Sequence, residues 1–228
     1  MPFVERPPAR HDLIWLDSNR WRDALLAPLP DEWMGALGEW FKRGRPAVVR
    51  RQESSTANAI SLGVALPPAR GKTKIPLLVD RRVVTRASAP LLLATALVSA
   101  PPAWQAALQS LVDAARERGI EFRVYGSLAW QHLSGEPYLT GTSDVDLLWT
   151  VRNGALRRDG LQLLAAWQRT TGLAADGELL LPDGAAVAWK ELLSASRKVL
   201  VKSSDSVAMR ARDDVLAGLV GEAMEQPC

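Results

Sequence analysis

The pattern of apolar residues changes near residue 90. Before that point, short apolar runs alternate with polar turns, which is typical of β-strands. Beyond it, several longer segments carry apolar residues at helical spacing. The pattern predicts an α+β protein with a smaller β-rich N-terminal domain over residues 1–90. A second domain, with a sheet flanked by helices, is predicted over residues 91–228.

The N-terminal pattern predicts one helix and a set of strands. The helix covers Glu32–Arg43, with Asp31 as a cap at its start and Gly44 at its end. Leu13–Leu16 is either a strand or the start of a helix. The predicted strands are Ala47–Gln52, Ala59–Leu66, Ile75–Val79 and Val83–Arg86.

The C-terminal pattern begins with an apolar helix or linker over Ala87–Ala100. The pair Pro101-Pro102 breaks it, and a long helix follows that ends at Gly119. Pro182-Asp183-Gly184 predicts a hairpin turn between two strands. The remaining predicted elements are a strand at Phe122–Tyr125, a helix at Leu128–Leu133, a strand at Asp144–Trp149, a helix at Asp159–Thr170, strands at Glu178–Leu181, Ala185–Trp189 and Val199–Lys202, and a helix at Asp213–Met224.

Two carboxylates lie two residues apart in the strand after the Leu128–Leu133 helix. Since side chains alternate along a strand, Asp144 and Asp146 project to one side while Val145 and Leu147 point into a core. Paired carboxylates repel each other unless a cation neutralises them. Mg²⁺ suits this pair, because it is usually held by one or two carboxylates together with substrate phosphates. A solvated strand edge is the alternative interpretation of an isolated Asp-x-Asp.

The pair Gly126-Ser127 precedes the same helix and predicts the other half of a phosphate site. Glycine lets the backbone approach a phosphate closely, and the helix start offers free N–H groups and a positive dipole end. We therefore predict that Gly126, Ser127, Asp144 and Asp146 form one catalytic site.

Further residues are candidates for contacts with metal or substrate. Glu191 is the first candidate for a third metal carboxylate; Asp183 is the second, with a turn as its alternative role. Lysines beside strands either contact phosphates or extend to solvent. The basic turn near residue 70 is either a phosphate clamp or a solvated hairpin tip. The predicted substrate contacts are Lys190, Lys202, Arg70, Lys72, Lys74 and His11, the last with local hydrogen bonding as its alternative.

Composition narrows the class of protein. With 228 residues, 47% hydrophobic and 23% charged, the chain is expected to be globular rather than disordered. The single cysteine, Cys228, excludes a disulfide framework and a cysteine-based metal site, and fits a reducing compartment. The longest apolar run, near Ala89–Ala100, is too short to cross a bilayer, and no signal peptide is visible. We expect a cytoplasmic protein without a membrane partner.

The net charge of +3 is unevenly distributed. Residues 1–100 contain 15 Lys/Arg and 9 Asp/Glu, whereas residues 101–228 contain 13 and 16. A basic half attracts anionic partners. Nucleic acid is one such partner, but no Lys/Arg run is longer than two residues. A phosphate-rich small molecule or an acidic carrier protein fits the modest excess better.

An apolar strand, a Gly-Ser pair opening a helix and an Asp-x-Asp strand together resemble the nucleotidyltransferase superfamily. The resemblance implies a mixed sheet flanked by helices. The 16 residues between Ser127 and Asp144 exceed the usual spacing in that superfamily. The loop containing Pro137, Tyr138 and Gly141 must absorb the excess.

A wider resemblance covers nearly the whole chain. The stretch YGSLAWQHLSGEPYLTGTSDVDLLW is similar to the phosphoribosyl-dephospho-CoA transferases of malonate decarboxylase systems, also called malonate decarboxylase holo-acyl-carrier-protein synthases. Other matching segments, in the same order, are Arg10-His11-Asp12-Leu13, Val48-Val49-Arg50-Arg51, Leu62-Gly63-Val64-Ala65-Leu66-Pro67, Val187-Ala188-Trp189-Lys190-Glu191-Leu192 and Val199-Leu200-Val201-Lys202.

The resemblance implies a specific reaction. The phosphoribosyl-dephospho-CoA group would pass from 2′-(5″-triphosphoribosyl)-3′-dephospho-CoA to a serine of the malonate decarboxylase acyl carrier protein, with release of pyrophosphate. Two alternatives stay open. One is another small nucleotidyltransferase that adenylylates a protein or small molecule from ATP, and the other is a non-catalytic nucleic-acid-binding module.

Overall fold

The computed structural model describes residues 8–52, 58–151 and 154–218. Its contacts divide the chain into two units. The first comprises the described residues up to Pro90 together with Leu133–Tyr138, and the second comprises the rest. The division predicted from the sequence assigns Leu133–Tyr138 to the second domain, whereas the contacts group this segment with the first unit.

The first unit is built on a five-stranded antiparallel sheet in the order β4-β3-β2-β1-β5. One α-helix, α1, spans Asp31–Lys42. The strands are β1 Leu13–Leu16, β2 Ala47–Val49, β3 Ala59–Ala65, β4 Lys74–Asp80 and β5 Val84–Ser88. The β-rich character predicted for this part of the chain is therefore present, and Leu13–Leu16 is a strand.

Helix α1 buries an apolar stripe along one side. Leu37, Trp40 and Phe41 are buried, and the rings of Phe41 and Trp21 lie 5.1 Å apart. The prediction that Asp31 caps the helix was wrong. Pro30 occupies the cap position, and Asp31 lies in the first turn, where its charge still favours the positive end of the helix dipole.

The segment Leu133–Tyr138 is held in the first unit by side-chain hydrogen bonds. The Arg45 guanidinium binds Glu136 Oε1 at 2.5 Å and the Ser134 carbonyl oxygen at 2.6 Å. The Tyr138 hydroxyl donates to the Ala65 carbonyl oxygen at 2.7 Å. Burial raises the pKa of the Tyr138 hydroxyl, so the phenol stays protonated as a donor.

The second unit is built on a seven-stranded mixed sheet in the order β12-β11-β10-β9-β8-β7-β6. Strands β8 and β9 are parallel, and the other neighbouring pairs are antiparallel. The strands are β6 Leu91–Leu92, β7 Arg123–Val124, β8 Val145–Thr150, β9 Ala175–Leu180, β10 Ala186–Ala188, β11 Lys198–Lys202 and β12 Val207–Ala211.

The helices of the second unit complete an α+β architecture, which confirms the predicted fold class. They are α2 Leu93–Ala96, α3 Pro102–Glu117, α4 Gly126–Ser134, α5 Gly154–Thr171, α6 Trp189–Leu193 and α7 Arg212–Gly218. Among the described residues, no helix is long and apolar enough to cross a membrane.

Several element boundaries differ from the prediction. Strand β9 begins three residues before the predicted Glu178, and Trp189 begins a helix instead of ending a strand. Strand β12 was not predicted. The predicted helix Asp213–Met224 is present as far as Gly218, and residues 219–224 lie outside the described part of the chain.

Strand β8 directs three apolar side chains into the hydrophobic core of the second unit. Val145, Leu147 and Trp149 are buried in the hydrophobic core, where residues of α3 and α5 also lie. Because side chains alternate, Asp146 projects from the opposite face of the sheet. Burial of one face thus fixes the direction of the carboxylate on the other.

The parallel pairing of β8 with β9 requires a glycine at position 177. Gly177 has φ of +143°, and a Cβ added there would lie 1.9 Å from the Leu147 carbonyl oxygen. Because that oxygen belongs to the backbone of a core strand, it cannot move aside without disturbing the β8–β9 pairing.

Replacing Gly177 with alanine should therefore lower the free energy of unfolding by about 3 kcal/mol or more, through collision and backbone strain. Urea unfolding followed by circular dichroism measures the loss. Gly184→Ala is the control, because Gly184 has φ of +80° but nothing within 4 Å of its added Cβ. Equal losses in the two variants would mean that strain, and not the close approach of β9 to β8, is responsible.

Candidate active site

The turn from β7 into α4 lies directly beside β8. Strand β7 pairs with β8, and the Tyr125 amide continues the ladder by donating to the Asp146 carbonyl oxygen at 3.1 Å. Helix α4 then begins at Gly126, two residues earlier than predicted. The strand pairing therefore brings the helix start next to the carboxylate-bearing strand.

Gly126 and the Asp146 side chain are in close contact. Gly126 has φ of +64°, and a Cβ added to it would lie 1.8 Å from Asp146 Oδ2. No other residue fits here unless the carboxylate moves. The glycine thus provides space for the carboxylate at the start of α4, as well as a backbone conformation that other residues adopt with difficulty.

The start of α4 offers the features expected of an anion site. Ser127 is the second residue of the helix and is half-buried. The first N–H groups of a helix have no partner within the helix, and they lie at the positive end of its dipole. Asp144 directly precedes β8 and is also half-buried. The structure brings Gly126, Ser127 and Asp146 together, with Asp144 two residues from Asp146.

A third carboxylate, which the sequence analysis missed, lies beside Asp146. Asp176 on β9 is the register partner of Asp146 on β8. Register partners on neighbouring strands share a face and lie about 5 Å apart. The signal in the sequence was the alternation Asp176-x-Glu178, which repeats the Asp144-x-Asp146 pattern.

Two of the predicted phosphate-binding lysines accompany the acidic residues of β9. Lys190 Nζ lies 3.8 Å from Asp176 Oδ1, and both side chains are about half exposed. Lys202 Nζ donates to Glu178 Oε1 at 2.8 Å, where Glu178 is almost fully buried. In this structure both lysines are partnered by carboxylates, so their contact with phosphate stays a prediction.

Glu191, the predicted third metal ligand, has a structural contact. Its Oε2 accepts a hydrogen bond from the Leu200 amide of β11 at 2.6 Å. Strands β10 and β9 intervene between β11 and β8, so three strand spacings, or about 14 Å, separate β11 from β8. A shared ion needs ligand oxygens much closer together than that. The second candidate, Asp183, accepts from the Ala185 amide at 3.0 Å within the hairpin turn.

The remaining candidates lie in the first unit. Arg70 and Lys72 are exposed on the connection between β3 and β4, and Lys74 is exposed as the first residue of β4. His11 precedes β1, and its amide donates to the Val49 carbonyl oxygen at 3.0 Å. The substrate contacts assigned to these four residues stay predictions.

The donor set of the second unit fits a hard cation that also binds substrate. Among the described residues, no group of three His, Cys, Asp or Glu side chains is arranged to hold a metal unaided. Asp144 and Asp146, with Asp176 alongside, are carboxylates that would hold such a cation together with phosphate oxygens of a substrate. Mg²⁺ is bound in this way when it acts with a phosphorylated substrate.

A strand, a Gly-Ser turn into a helix and carboxylates at and just before the start of the next strand are the features on which the resemblance to nucleotidyltransferases rests. Family models agree with a transferase. The model of the phosphoribosyl-dephospho-CoA transferase MdcG N-terminal domain matches residues 9–90, and that of the C-terminal domain matches residues 92–213.

Curated relatives carry the name of this family. A phosphoribosyl-dephospho-CoA transferase of Xanthomonas campestris pv. campestris (strain 8004) is 41% identical over 89% of this chain and 94% of its own length. The protein of that name from Bradyrhizobium diazoefficiens is 36% identical over 95% and 96%, respectively. No solved structure matches the chain. The chain belongs to the phosphoribosyl-dephospho-CoA transferase family and is a transferase enzyme.

Gly126→Ala should reduce transferase activity by about tenfold or more, because the new methyl group displaces the Asp146 carboxylate. The strained φ should also cost about 1–2 kcal/mol of stability. Steady-state rates and urea unfolding measure the two effects.

Gly135→Ala is the matched control for that variant. Gly135 has φ of +70° at the other end of α4, but nothing lies within 4 Å of its added Cβ. It should lose similar stability and keep its activity. If both variants are equally active, the contact of Gly126 with Asp146 has no catalytic importance.

Proposed function

We propose that this enzyme transfers the phosphoribosyl-dephospho-CoA group from 2′-(5″-triphosphoribosyl)-3′-dephospho-CoA to a serine of the malonate decarboxylase acyl carrier protein, releasing pyrophosphate. Membership in the family supports the transferred group. The observation that carries the proposal is the contact of the Asp146 carboxylate with Gly126 at the start of α4. In this contact a carboxylate, which can hold a metal ion, adjoins a helix start, which can bind phosphate. Transfer with a polyphosphate leaving group uses both.

The proposed roles follow from position. The backbone N–H groups at Gly126 and Ser127, with the Ser127 hydroxyl, bind the leaving phosphates. Asp144 and Asp146 hold Mg²⁺. When bound, the ion neutralises charge on the phosphates and makes the acceptor hydroxyl easier to deprotonate. Catalysis is then mostly positioning and electrostatic stabilisation.

We assign the third carboxylate of this site to Asp176. Its register with Asp146 places it on the same sheet face, whereas Glu191 Oε2 is occupied by the Leu200 amide. The ammonium of Lys190 near Asp176 indicates that this position accommodates a cation.

Lys190 and Lys202 remain candidates for donor phosphates. Each is partly exposed, with 49% and 32% of its side chain accessible, respectively. The Lys190–Asp176 pair is about half exposed on both sides and worth little, so a polyphosphate can compete for that ammonium group. Lys202 also neutralises the almost fully buried Glu178, so its release from that carboxylate costs more. The absence of a disulfide framework, with one cysteine in the chain, fits a reaction in the cytoplasm.

The direct test incubates the enzyme, Mg²⁺ and the triphosphoribosyl donor with the apo carrier protein. We expect a mass increase on the carrier serine and one pyrophosphate per modified carrier. Asp144→Asn and Asp146→Asn should each slow transfer by about 100-fold or more, and chelation by EDTA should abolish it. The fold should survive, since removing one like charge relieves repulsion. Ser127→Ala should have a smaller effect, because backbone donors remain.

The alternatives make different predictions in the same assay. Transfer of AMP from ATP, with none from the triphosphoribosyl donor, would identify an adenylylating enzyme. Salt-sensitive nucleic-acid binding that Asp146→Asn leaves unchanged would identify a binding module. Near-normal transfer by either Asp variant would contradict the metal site.

Asp176→Asn and Glu191→Gln distinguish the two candidates for the third carboxylate. We expect Asp176→Asn to lower the transfer rate by about 10- to 100-fold and to weaken the apparent Mg²⁺ affinity. Glu191→Gln should leave Mg²⁺ affinity intact and lower stability by roughly 1 kcal/mol, through a weaker bond to the Leu200 amide. Titration of the rate with Mg²⁺ and urea unfolding separate these results. The reverse pattern would restore Glu191 as the metal ligand.

A further inference from the structure

The edge of the seven-stranded sheet carries exposed apolar side chains. All five residues of β12 are exposed, and the exposed fractions of Val207 and Met209 are 43% and 56%. Edge strands in soluble proteins are usually covered or carry charges, and adjacent exposed apolar residues often mark interaction sites. The exposed apolar side chains of β12 therefore make this edge a candidate binding surface.

The apolar residues share a sheet face with the carboxylates of the active site. Asp146 of β8 pairs with Asp176 of β9, and Glu178, on the same face of β9, pairs with Ala188 of β10. Ala186, on the same face of β10, pairs with Lys202 of β11. On β12, Val207 pairs with Lys202 and Met209 pairs with Leu200. The ion pair between Lys202 and Glu178 shows independently that these two side chains lie on one face. We call Lys198, Leu200, Val207 and Met209 the β11–β12 surface.

Positive charge is concentrated around this surface. Residues 190–212 contain six Lys/Arg and two Asp/Glu, whereas the rest of residues 101–228 contains seven and fourteen. Arg197 and Lys198 are exposed, and within the described ranges no carboxylate forms an ion pair with either of them. The other four of these six cations form ion pairs with carboxylates, so Arg197 and Lys198 supply the available positive charge beside the exposed apolar side chains.

We propose that the β11–β12 surface docks the acceptor carrier protein through an acidic, partly apolar segment beside its modified serine. The inference rests on the proposed function. Carboxylates on the partner would complement Lys198 and Arg197, and an apolar side chain would cover Met209. The polyphosphate of the donor alone would match the charges but leave the apolar side chains exposed.

The separation between the surface and the site suits such a partner. Three to four strand spacings lie between β8 and the β11–β12 surface, which is about 14–19 Å. A small domain, with a radius of gyration of about 13 Å, spans that distance. A carrier docked at the edge can therefore present a serine to the carboxylates.

The test compares two docking variants, Lys198→Glu and Met209→Asp, with two controls in the same unit. The controls are Arg116→Glu on α3, at a side chain 74% exposed, and Val98→Asp, at a residue 66% exposed. The docking variants should raise the KM for apo carrier by about tenfold, while kcat and the KM for the donor stay unchanged. Both controls should behave as the wild type does.

Three outcomes would overturn the proposal. The first is a carrier KM that is the same in all variants of an active enzyme. The second is a wild-type dimer that Met209→Asp converts to a monomer, because a second copy would then occupy the surface. The third is that calorimetry finds equal affinities for apo carrier in the wild type and in Lys198→Glu. This measurement tests the proposal even if Met209→Asp fails to fold. Failure of the wild-type enzyme to modify the carrier at all would instead reject the proposed function.

Discussion

The contact between the Asp146 carboxylate and the backbone of Gly126 is the constraint on which the rest of the site depends. It is set by strand pairing, since the Tyr125 amide bonds the Asp146 carbonyl oxygen on one side of the turn. Burial of Val145 and Leu147 holds the opposite face of the strand. The core of the second unit therefore fixes the strand position from which the Asp146 carboxylate projects.

Strand β9 adds further charged side chains beside Asp146. Gly177 allows β9 to approach β8 closely, and the register then places Asp176 beside Asp146. Lys190 and Lys202 supply positive charge next to Asp176 and Glu178. These ammonium groups reduce the repulsion among the neighbouring carboxylates within the protein itself. The more exposed of them, on Lys190, can leave Asp176 for a polyphosphate.

The local parts of this site could be predicted from the sequence. The Asp144-x-Asp146 alternation and the Gly126-Ser127 turn are each features of neighbouring residues, so each could be recognised from its own residues. Their combination into one site was predicted from residue chemistry, and a separation of 16 residues gave no direct indication of it. Asp176 could not be found in that way, because its position depends on which strand pairs with β8. The start of β9 was also hidden, since aspartate and glycine are uncommon in strands.

The contact of Glu191 and the presence of β12 likewise depend on tertiary structure that the sequence pattern does not show. Glu191 follows the predicted strand Ala185–Trp189 in sequence, but Trp189 turns into α6 and directs the carboxylate to the Leu200 amide. Strand β12 contains Ala208, Arg210 and Ala211, and it lacks the clear alternation of a half-buried strand. Its existence depends on pairing with β11, which sequence periodicity does not report.

The assignment of Leu133–Tyr138 to the first unit bears on how such an enzyme can evolve. Neither unit is a continuous stretch of polypeptide, because the chain leaves the first unit, enters the second, and returns for six residues. Gene recombination at a single junction would separate Glu136 and Tyr138 from Arg45 and Ala65, the residues to which they bond. The two halves are therefore expected to be inherited together, and shuffling of either half into another gene should be rare.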